Sequence, residues 1–328
     1  MQILAATDFS TRSNRALPQA GLLAQSGNVQ LHIVHVVDDD QPEELVRIEK
    51  REAERVLKEQ TDSMPELKSV QTHAMVVTGD PFDGILRTGS DVNADLIVMG
   101  SHRKQFLLDI FIGTTIERVV RKGPFPVLMV NNEAQRRYEK VVAPVDMSDS
   151  SAHALRVALS TRLIGGRATL LHAFFPLGKG KMFVAGIDQA SIGEYVASER
   201  RKATEELATF LIANDLGREK WSVRVEEGGP FEVISRAVTD MRPDLLVMGT
   251  HGRSGLLKAL IGSVTEEALR SLSVDILAVP PVQRAWKAPF VFGLVSEYCS
   301  ADQNHQADRR RHRDENDDQQ LMQDGSRA

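Results

Sequence analysis

Three glycines and a serine in the second half of the chain have a spacing suited to holding phosphate. The segment GTHGRSGLLKALIGS (249–263) has the form G-x2-G-x9-G-S and follows DLLVM, a run typical of a buried strand. Glycines at a strand end let backbone N–H groups approach a ligand without a Cβ in the way. After Gly262, the residues SVTEEALRSL predict a helix whose N-terminus favours an anion. Ser263 and Thr265 add hydroxyl donors, so the loop predicts a phosphate site.

This loop differs from other well-known phosphate-binding loops. The chain has no G-x4-G-K-[ST], and the dinucleotide fingerprint follows a first strand, whereas this loop follows the fourth. The first predicted strand of each half ends in an acidic residue instead, Asp8 or Asp146. A Ser-Gly-Gly-x-Asp-Ser loop, typical of ATP pyrophosphatases, is not present after either strand, where the chain has TDFSTRS and VDMSDSS.

A second copy of the loop, GSHRKQFLLDIFIGT (100–114), lies in the first half. Arg103 replaces Gly252 there, and Phe106 replaces Gly255. Two hypotheses follow: Arg103 supplies charge to phosphates, or its side chain fills the space that a ligand needs. If the position requires a left-handed backbone, a residue other than glycine costs about 1–2 kcal/mol, or roughly tenfold in affinity. We favour the second hypothesis, in which the first loop is degenerate.

The two loops belong to a repeat that covers most of the chain. ILAATDFS (3–10) matches VVAPVDMS (141–148), and ADLIVMG (94–100) matches PDLLVMG (243–249). The second pair lies about a dozen residues further apart than the first pair, which indicates an insertion in the second half. We place the insertion near 176–190, in the segment PLGKGKMFVAGIDQA.

The repeat predicts two domains and a C-terminal extension. The first domain covers 1–134 and carries the degenerate loop, and the second covers 139–281 and carries the intact loop. Residues 282–328 have little to bury towards their end, and we expect this extension to be largely disordered. Its basic cluster at 309–313 is flanked by acidic residues, so we do not expect a nucleic-acid-binding arm.

Short β-branched runs alternate with amphipathic stretches in both halves. In SDSSAHALRVALSTRL, for example, Ala154, Leu155 and Ala158 recur at helical spacing, with Ser148 or Ser150 as the N-cap. Strands that alternate with helices of this length predict parallel βαβ units. The predicted fold is therefore α/β, with two repeated doubly wound, Rossmann-like domains of five parallel strands each.

Composition narrows the classes of function. The chain has 328 residues, of which 42% are hydrophobic and 26% charged, and a net charge of −5 argues against a nucleic-acid partner. A single cysteine, Cys299, excludes a disulfide within the chain. No run approaches the roughly 18 apolar residues that span a membrane, and MQILAATDFS lacks the features of an export signal. We therefore expect a cytoplasmic protein with no membrane span.

Taken together, these features resemble the universal stress protein family in its tandem two-domain form. Members that bind ATP carry G-x2-G-x9-G-[ST], and the loop at 249–263 matches every position. Further agreement lies at Asp146, the His172-Ala173 pair, the Gly229-Pro230 step and Met248. The resemblance covers roughly 1–281. It implies a fold that binds adenine nucleotide without strong catalytic apparatus, and a pseudo-dimer in which the last strands of the two domains pair. It leaves a homodimer open.

Carried over by position, the resemblance implies an ATP site in the second domain, with or without Mg²⁺. The adenine end would lie near Pro144, Val145, Asp146 and Ala173. The ribose and phosphates would contact Gly249, Gly252, Arg253, Gly262, Ser263, Val264 and Thr265, with Met248 just before the loop. For Asp146, an alternative is a cap on the following helix. We assign no catalytic role to His102 or His251, and we expect His35 and His172 to satisfy their hydrogen bonds at strand ends.

The leading hypothesis is a stress-response regulatory protein, not an enzyme, that binds adenine nucleotide mainly in its second domain. Occupancy would change its stability or its contact with a protein partner that remains to be identified. Slow ATP hydrolysis, with Mg²⁺ on Ser263 or Asp146, is left open. The alternative is a non-enzymatic scaffold or carrier with an apolar or lipid-like ligand in the domain cavities. In that case Met182, Phe183 and Val184 of the insertion would form a lid.

Overall fold

The computed structural model describes residues 1–11, 13–25, 27–101, 114–164, 167–252 and 261–281. Arg103, Phe106 and Arg253, together with the C-terminal extension, lie outside the described residues. The strands are β1 (Gln2–Ala6), β2 (Gln30–Val37), β3 (Thr72–Thr78), β4 (Leu96–Gly100), β5 (Val127–Val130), β6 (Lys140–Pro144), β7 (Arg167–Phe174), β8 (Trp221–Glu227), β9 (Leu245–Gly249) and β10 (Asp275–Val279). The helices are α1 (Ser13–Ala24), α2 (Glu43–Ser63), α3 (Pro81–Asp91), α4 (Thr115–Lys122), α5 (Asp149–Ser160), α6 (Lys179–Val184), α7 (Gln189–Ala213), α8 (Pro230–Met241) and α9 (Ser263–Ser271).

The ten strands form a single sheet in the order β3-β2-β1-β4-β5-β10-β9-β6-β7-β8. Each repeat contributes five strands in the same order, and every pairing within a repeat is parallel. The predicted α/β fold with two doubly wound repeats is therefore confirmed. Contacts group both repeats into one compact unit, so the domain boundary between 134 and 139 stays a prediction from the repeat.

The two repeats meet through their last strands. β5 and β10 run antiparallel, with residues paired from Val127↔Ala278 to Met129↔Ile276. This pairing covers one open edge of each five-stranded half, which would otherwise present unpaired N–H and C=O groups. The predicted pseudo-dimer is thus present within one chain.

Helices cover both faces of the sheet, as alternation along the strands requires. Ile3 and Ala5 of β1 pack into one core cluster, whereas Leu4 packs into the other. In the second repeat, Val141 packs into the first of these clusters and Val142 into the other. None of the described helices is long and apolar enough to cross a membrane.

The junction of the repeats contains a buried carboxylate at the start of β10. Asp275 is 3% exposed, and its Oδ2 accepts a hydrogen bond of 2.7 Å from the hydroxyl of Tyr138. Its Oδ1 accepts from the backbone N–H groups of Asn131 and Asn132 at 2.8 and 3.0 Å. Burial raises the pKa of Asp275 despite these donors, and burial together with Asp275 raises the pKa of Tyr138 well above its ordinary value. The linker between the repeats is therefore hydrogen-bonded to the second repeat's last strand.

Candidate functional site

The carboxyl ends of β6, β7 and β9 border a cavity of about 390 Å³ in the second repeat. β6 lies between the other two strands, so their last residues converge at one edge of the sheet. The N-termini of α8 and α9 complete its wall. The cavity brings together all the predicted site residues except Arg253: Pro144, Val145, Asp146, Ala173, Met248, Gly249, Gly252, Gly262, Ser263, Val264 and Thr265. Arg253 lies outside the described residues.

Two glycines of the loop stand where a side chain would collide with a neighbour. A Cβ at Gly249 would lie 2.5 Å from Oγ of Ser150 and 3.0 Å from its carbonyl oxygen. A Cβ at Gly252 would lie 3.0 Å from Oδ2 of Asp146. Neither glycine has a positive φ, so the left-handed backbone considered for Gly252 is not found. The close approach of the loop to Asp146 is the constraint on this position instead.

Helix α9 begins at the predicted position and points its N-terminus into the cavity. The N-cap is Gly262, whose N–H donates to the carbonyl oxygen of Thr250 at 2.7 Å. The hydroxyl of Thr265 donates to the carbonyl oxygen of Gly249 at 2.8 Å. The expectation of a free Thr265 donor was therefore wrong, because closing the loop uses that hydroxyl. Ser263 is exposed, and no hydrogen bond to its hydroxyl is found within the described residues.

Asp146 connects the end of β6 to the start of α5. Its Oδ1 accepts hydrogen bonds from the N–H and hydroxyl of Ser148 at 3.1 and 2.6 Å, and from the hydroxyl of Ser151 at 2.5 Å. Ser148 is the N-cap of α5 and accepts from the N–H of Ser151 at 3.2 Å. The N-cap of α5 is thus Ser148, one of the two predicted serines. Asp146 positions Ser148 through Oδ1, and Oδ2 of Asp146 faces the glycine loop.

Histidines at the end of each second strand make the same contact. Nδ1 of His172 lies 2.7 Å from the carbonyl oxygen of Val145, and Nδ1 of His35 lies 2.9 Å from that of Thr7. These hydrogen bonds fasten the end of the first strand to the second, as expected for a structural role. His251 differs, because its Nε2 is buried with no hydrogen-bond partner in the described part of the chain and the residue lines the cavity. Burial lowers the pKa of His251, which favours the neutral ring.

The universal stress protein family model matches residues 1–131 and 137–280. The chain belongs to the universal stress protein family. Universal stress protein E of Escherichia coli K12 is 25% identical over 209 residues, which cover 62% of this chain and 66% of the relative. The match therefore spans about two thirds of that relative's length. Universal stress protein MJ0577 of Methanocaldococcus jannaschii is 29% identical over 154 residues, or 43% of this chain and 94% of the relative.

Solved structures agree with the tandem fold. A universal stress protein from Archaeoglobus fulgidus superposes with a TM-score of 0.65 at 19% identity, covering 85% of this chain and 98% of that one. This likeness concerns the fold alone. Nucleotide binding is seen in some members of the family, since one universal stress protein has been solved in complex with cAMP. That structure is 23% identical with a TM-score of 0.29, which is too distant to inform the site of this chain.

The corresponding wall in the first universal stress protein repeat has a different side-chain arrangement. The strand registers Ala6↔Val34 and Pro144↔Leu171 place Val36 at the position of Ala173. α3 and α8 both begin at proline, and three residues later the first repeat has Gly84 where the second has Val233. A Cβ at Gly84 would lie 2.8 Å from Cγ1 of Val36. The valine between strand and helix therefore stands on the strand in the first repeat and on the helix in the second.

The helix that follows the loop also starts differently in the first repeat. Thr114, the counterpart of Ser263, is the N-cap of α4, and its hydroxyl accepts from the N–H of Glu117 at 3.2 Å. In the second repeat the N-cap is Gly262, and Ser263 is already the first helical residue. The two hydroxyls therefore have different roles: one caps a helix, and the other is exposed at a helix N-terminus.

Part of the cavity wall was not predicted from the sequence. Ser151, Leu171, Val233 and Ile234 line the cavity, as do His172, Pro230 and His251, which sequence reasoning noted without placing them in the site. A signal was available for α8, because the match of PFDGI (81–85) with PFEVI (230–234) put this helix start at the same place in both repeats. Which side chains face the cavity depends on how α8 packs across β7, and no local pattern encodes that.

Proposed function

We propose that this universal stress protein is a stress-response regulator that binds ATP in the cavity of its second repeat. One observation carries the proposal: residues from β6, β7, β9 and α9, far apart in the chain, line one cavity with an apolar wall and a helix N-terminus. Its volume of about 390 Å³ lies within the range of roughly 300–1,000 Å³ found for small-molecule sites. ATP needs both surfaces, because its base is flat and largely apolar and its phosphates are anionic.

The apolar wall suits the adenine ring. Val145, Leu171 and Met248 are each at most 4% exposed, and Val233 and Ile234 of α8 lie in the same wall. The neighbouring Ala173, with its single methyl group, leaves room beside them for a flat ring. Backbone groups at the end of β6 would supply the polar contacts that orient the base.

The opposite wall suits the phosphates. Gly252 brings the loop backbone close to the cavity, and the first N–H groups of α9 lack partners within the helix, as in every α-helix. The hydroxyl of Ser263 is exposed beside them, and the sequence places Arg253 in the same loop. The described residues contain no group of three or more His, Cys, Asp or Glu side chains able to hold a metal ion. Any Mg²⁺ would be shared between the phosphates and this chain, with Ser263 or Asp146 as the protein ligand.

We further propose binding without efficient hydrolysis. Oδ1 of Asp146 already accepts three hydrogen bonds, and Nδ1 of His172 is bonded to Val145. These two atoms therefore have structural roles, and neither of them offers the available acceptor that a general base needs near the nucleophile. Regulation would then follow from occupancy, because a ligand that binds the folded state stabilises it. The protein partner that senses this state remains to be identified.

Calorimetric titration of the purified, nucleotide-stripped protein with ATP tests the proposal. We expect a stoichiometry of about one, with heat lost when the second-repeat loop is altered. A stoichiometry of about two would mean that the first repeat also binds ATP and that Arg103 contacts the phosphates. An absence of heat, together with an absence of co-purified nucleotide, would contradict the proposal. A parallel phosphate-release assay should detect at most slow hydrolysis.

A second candidate function is a scaffold or carrier for an apolar ligand or partner. The observation that favours it is the insertion, where Leu177, Phe183 and Val184 are 80%, 73% and 86% exposed. Among the described residues, none from the insertion lines the 390 Å³ cavity, so these side chains are not its lid in this conformation. Mass spectrometry of ligands extracted from the purified protein separates the candidates: nucleotide supports the first, and acyl chains support the second.

A further inference from the structure

We propose a second ligand site, for a small molecule with an oxyanion group, at the junction of the two repeats. A cavity of about 520 Å³ lies between α1 of the first repeat, the linker after β5, and the residues before β9 and β10. It shares no lining residue with the candidate ATP site. The chemistry of its wall indicates what it can hold, since Gln19 and Arg15 offer donors and its buried carboxylate is already hydrogen-bonded.

Gln19 provides the first unused donor. Its side chain is 2% exposed and lines the cavity, and its Nε2 has no hydrogen-bond partner among the residues that the structure describes. A buried polar group without a partner destabilises a fold. An acceptor on a bound molecule would supply the missing hydrogen bond.

Arg15 provides the charge. It lies four residues before Gln19 on α1, so both side chains project from the same helix face into the cavity. Nη1 of Arg15 donates to the carbonyl oxygen of Asn131 at 2.6 Å, which fixes the guanidinium at the cavity wall. Within the described part of the chain, Arg15 has no carboxylate partner, and its other N–H groups remain for an anion. Arg136 and Arg137 add two further guanidinium groups among the lining residues.

The carboxylates of the inner wall already accept hydrogen bonds from the protein. Both oxygens of Asp275 accept hydrogen bonds, from Tyr138 and from the N–H groups of Asn131 and Asn132. Oδ2 of Asp244 accepts from the N–H groups that start β6, at 3.0 Å each. Glu133 also lines the cavity but is exposed. A ligand at the inner end must therefore bring acceptors, which a phosphate or carboxylate group does.

Thermal unfolding of the full-length protein tests this site, with inorganic phosphate and citrate as separate probes at constant pH and ionic strength. We expect one of them to raise the Tm of the wild type by a few degrees and to saturate, as a ligand of the folded state does. The probe that acts identifies the head group as phosphate or carboxylate. Arg218→Gln removes an exposed arginine outside the cavity and should keep the response.

Two variants separate binding from folding. Gln19→Leu replaces the unpartnered amide by an apolar group of similar size, so its Tm without probe should be higher than that of the wild type, while its response to the probe is lost. Arg15→Gln should lose the response through the loss of charge. An equal response in wild type and Gln19→Leu would overturn the proposal, as would the absence of a response to both probes. A response lost in Gly252→Arg but kept in Gln19→Leu would assign the binding to the candidate ATP site instead.

Discussion

At the carboxyl edge of the sheet, the first strands of the two repeats end in the same backbone geometry. Phe9 and Met147 have φ of 60° and 59°, and each is followed by a serine that takes part in the start of the next helix. The acidic residue before each of them accepts a hydrogen bond from the N–H of that serine, at 2.9 Å for Asp8 and 3.1 Å for Asp146. Burial raises the pKa of Asp8, but hydrogen bonds from Ser10 and its neighbours outweigh burial, and the net pKa is lower than usual.

The side chains around this shared backbone have changed, and they have changed in pairs. Val36 with Gly84 in the first repeat stands against Ala173 with Val233 in the second. Each pair places one valine between strand and helix, on the strand in the first repeat and on the helix in the second. The comparison teaches that the same contact in a duplicated fold can be filled from opposite elements, which changes the wall that a ligand would meet. The predictions below test this difference between the repeats.

The largest effect is expected for Gly252→Arg, which copies the residue of the first loop into the second. A Cβ there already lies 3.0 Å from Oδ2 of Asp146, and the long side chain would enter the phosphate end. We expect ATP affinity to fall at least about tenfold, or about 1.4 kcal/mol, by calorimetry. The reciprocal variant, Arg103→Gly, should change little. Unchanged affinity in Gly252→Arg would remove the loop from the proposed site.

Ala173→Val copies the wall of the first repeat and should have the next largest effect. Overpacking at this wall should cost ATP binding about 1 kcal/mol or more, roughly fivefold. The double variant Ala173→Val/Val233→Gly copies the complete first-repeat pair. We expect its Tm to be closer to that of the wild type than the Tm of Ala173→Val is, while its ATP affinity stays low. Val36→Ala is the matched control, with no expected change in ATP binding. If Ala173→Val binds ATP as tightly as the wild type, the adenine ring does not lie against this strand.

Removing the hydroxyl that follows each loop should affect ATP binding in the second repeat and stability in the first. Ser263→Ala should weaken ATP binding by about 0.5–1.5 kcal/mol, the net contribution of a hydrogen bond, without lowering Tm. Thr114→Ala removes the cap of α4 and should destabilise the protein by about 1 kcal/mol without changing ATP binding. Thermal unfolding and calorimetry on both variants make this comparison. A loss of stability in Ser263→Ala would show that this hydroxyl is structural as well.

The smallest effect concerns pH and the start of the last strands, where the first repeat has Pro126 and the second has Asp275. Because burial raises the pKa of Asp275, its ionised form is less favoured in the folded than in the unfolded protein. Stability should therefore fall as pH rises from about 3.8 through the raised pKa, and this loss should level off above it. The measurement is Tm against pH for wild type and Asp275→Asn. A constant difference between the two curves across this window would contradict the prediction.

The sequence was sufficient for the architecture. Repeated runs such as ADLIVMG and PDLLVMG, separated by amphipathic stretches, predicted two five-stranded parallel halves, and the resemblance predicted that their last strands pair. The residues that the resemblance assigned to the site line one cavity at the carboxyl edge of the sheet, where parallel strands end side by side, except Arg253, which lies outside the described residues. The strands, helices and glycine loop rest on periodicity and glycine chemistry, which are local properties that a chain shows without being folded.

Other features depended on contacts between elements distant in the chain. Thr265 looked like a donor for a ligand, but its hydroxyl meets the carbonyl oxygen of Gly249 only when the loop closes. Gly84 looked unremarkable until packing placed it against Val36. The sequence of α1 marks Gln19 only as a helical residue, whereas packing at the repeat junction buries its Nε2 with no hydrogen-bond partner among the described residues. The local sequence pattern determined which helices and strands form and where the loops lie. Tertiary packing decided the volume of each cavity and which donors and acceptors in its wall lack a partner, because both depend on how neighbouring elements fit together.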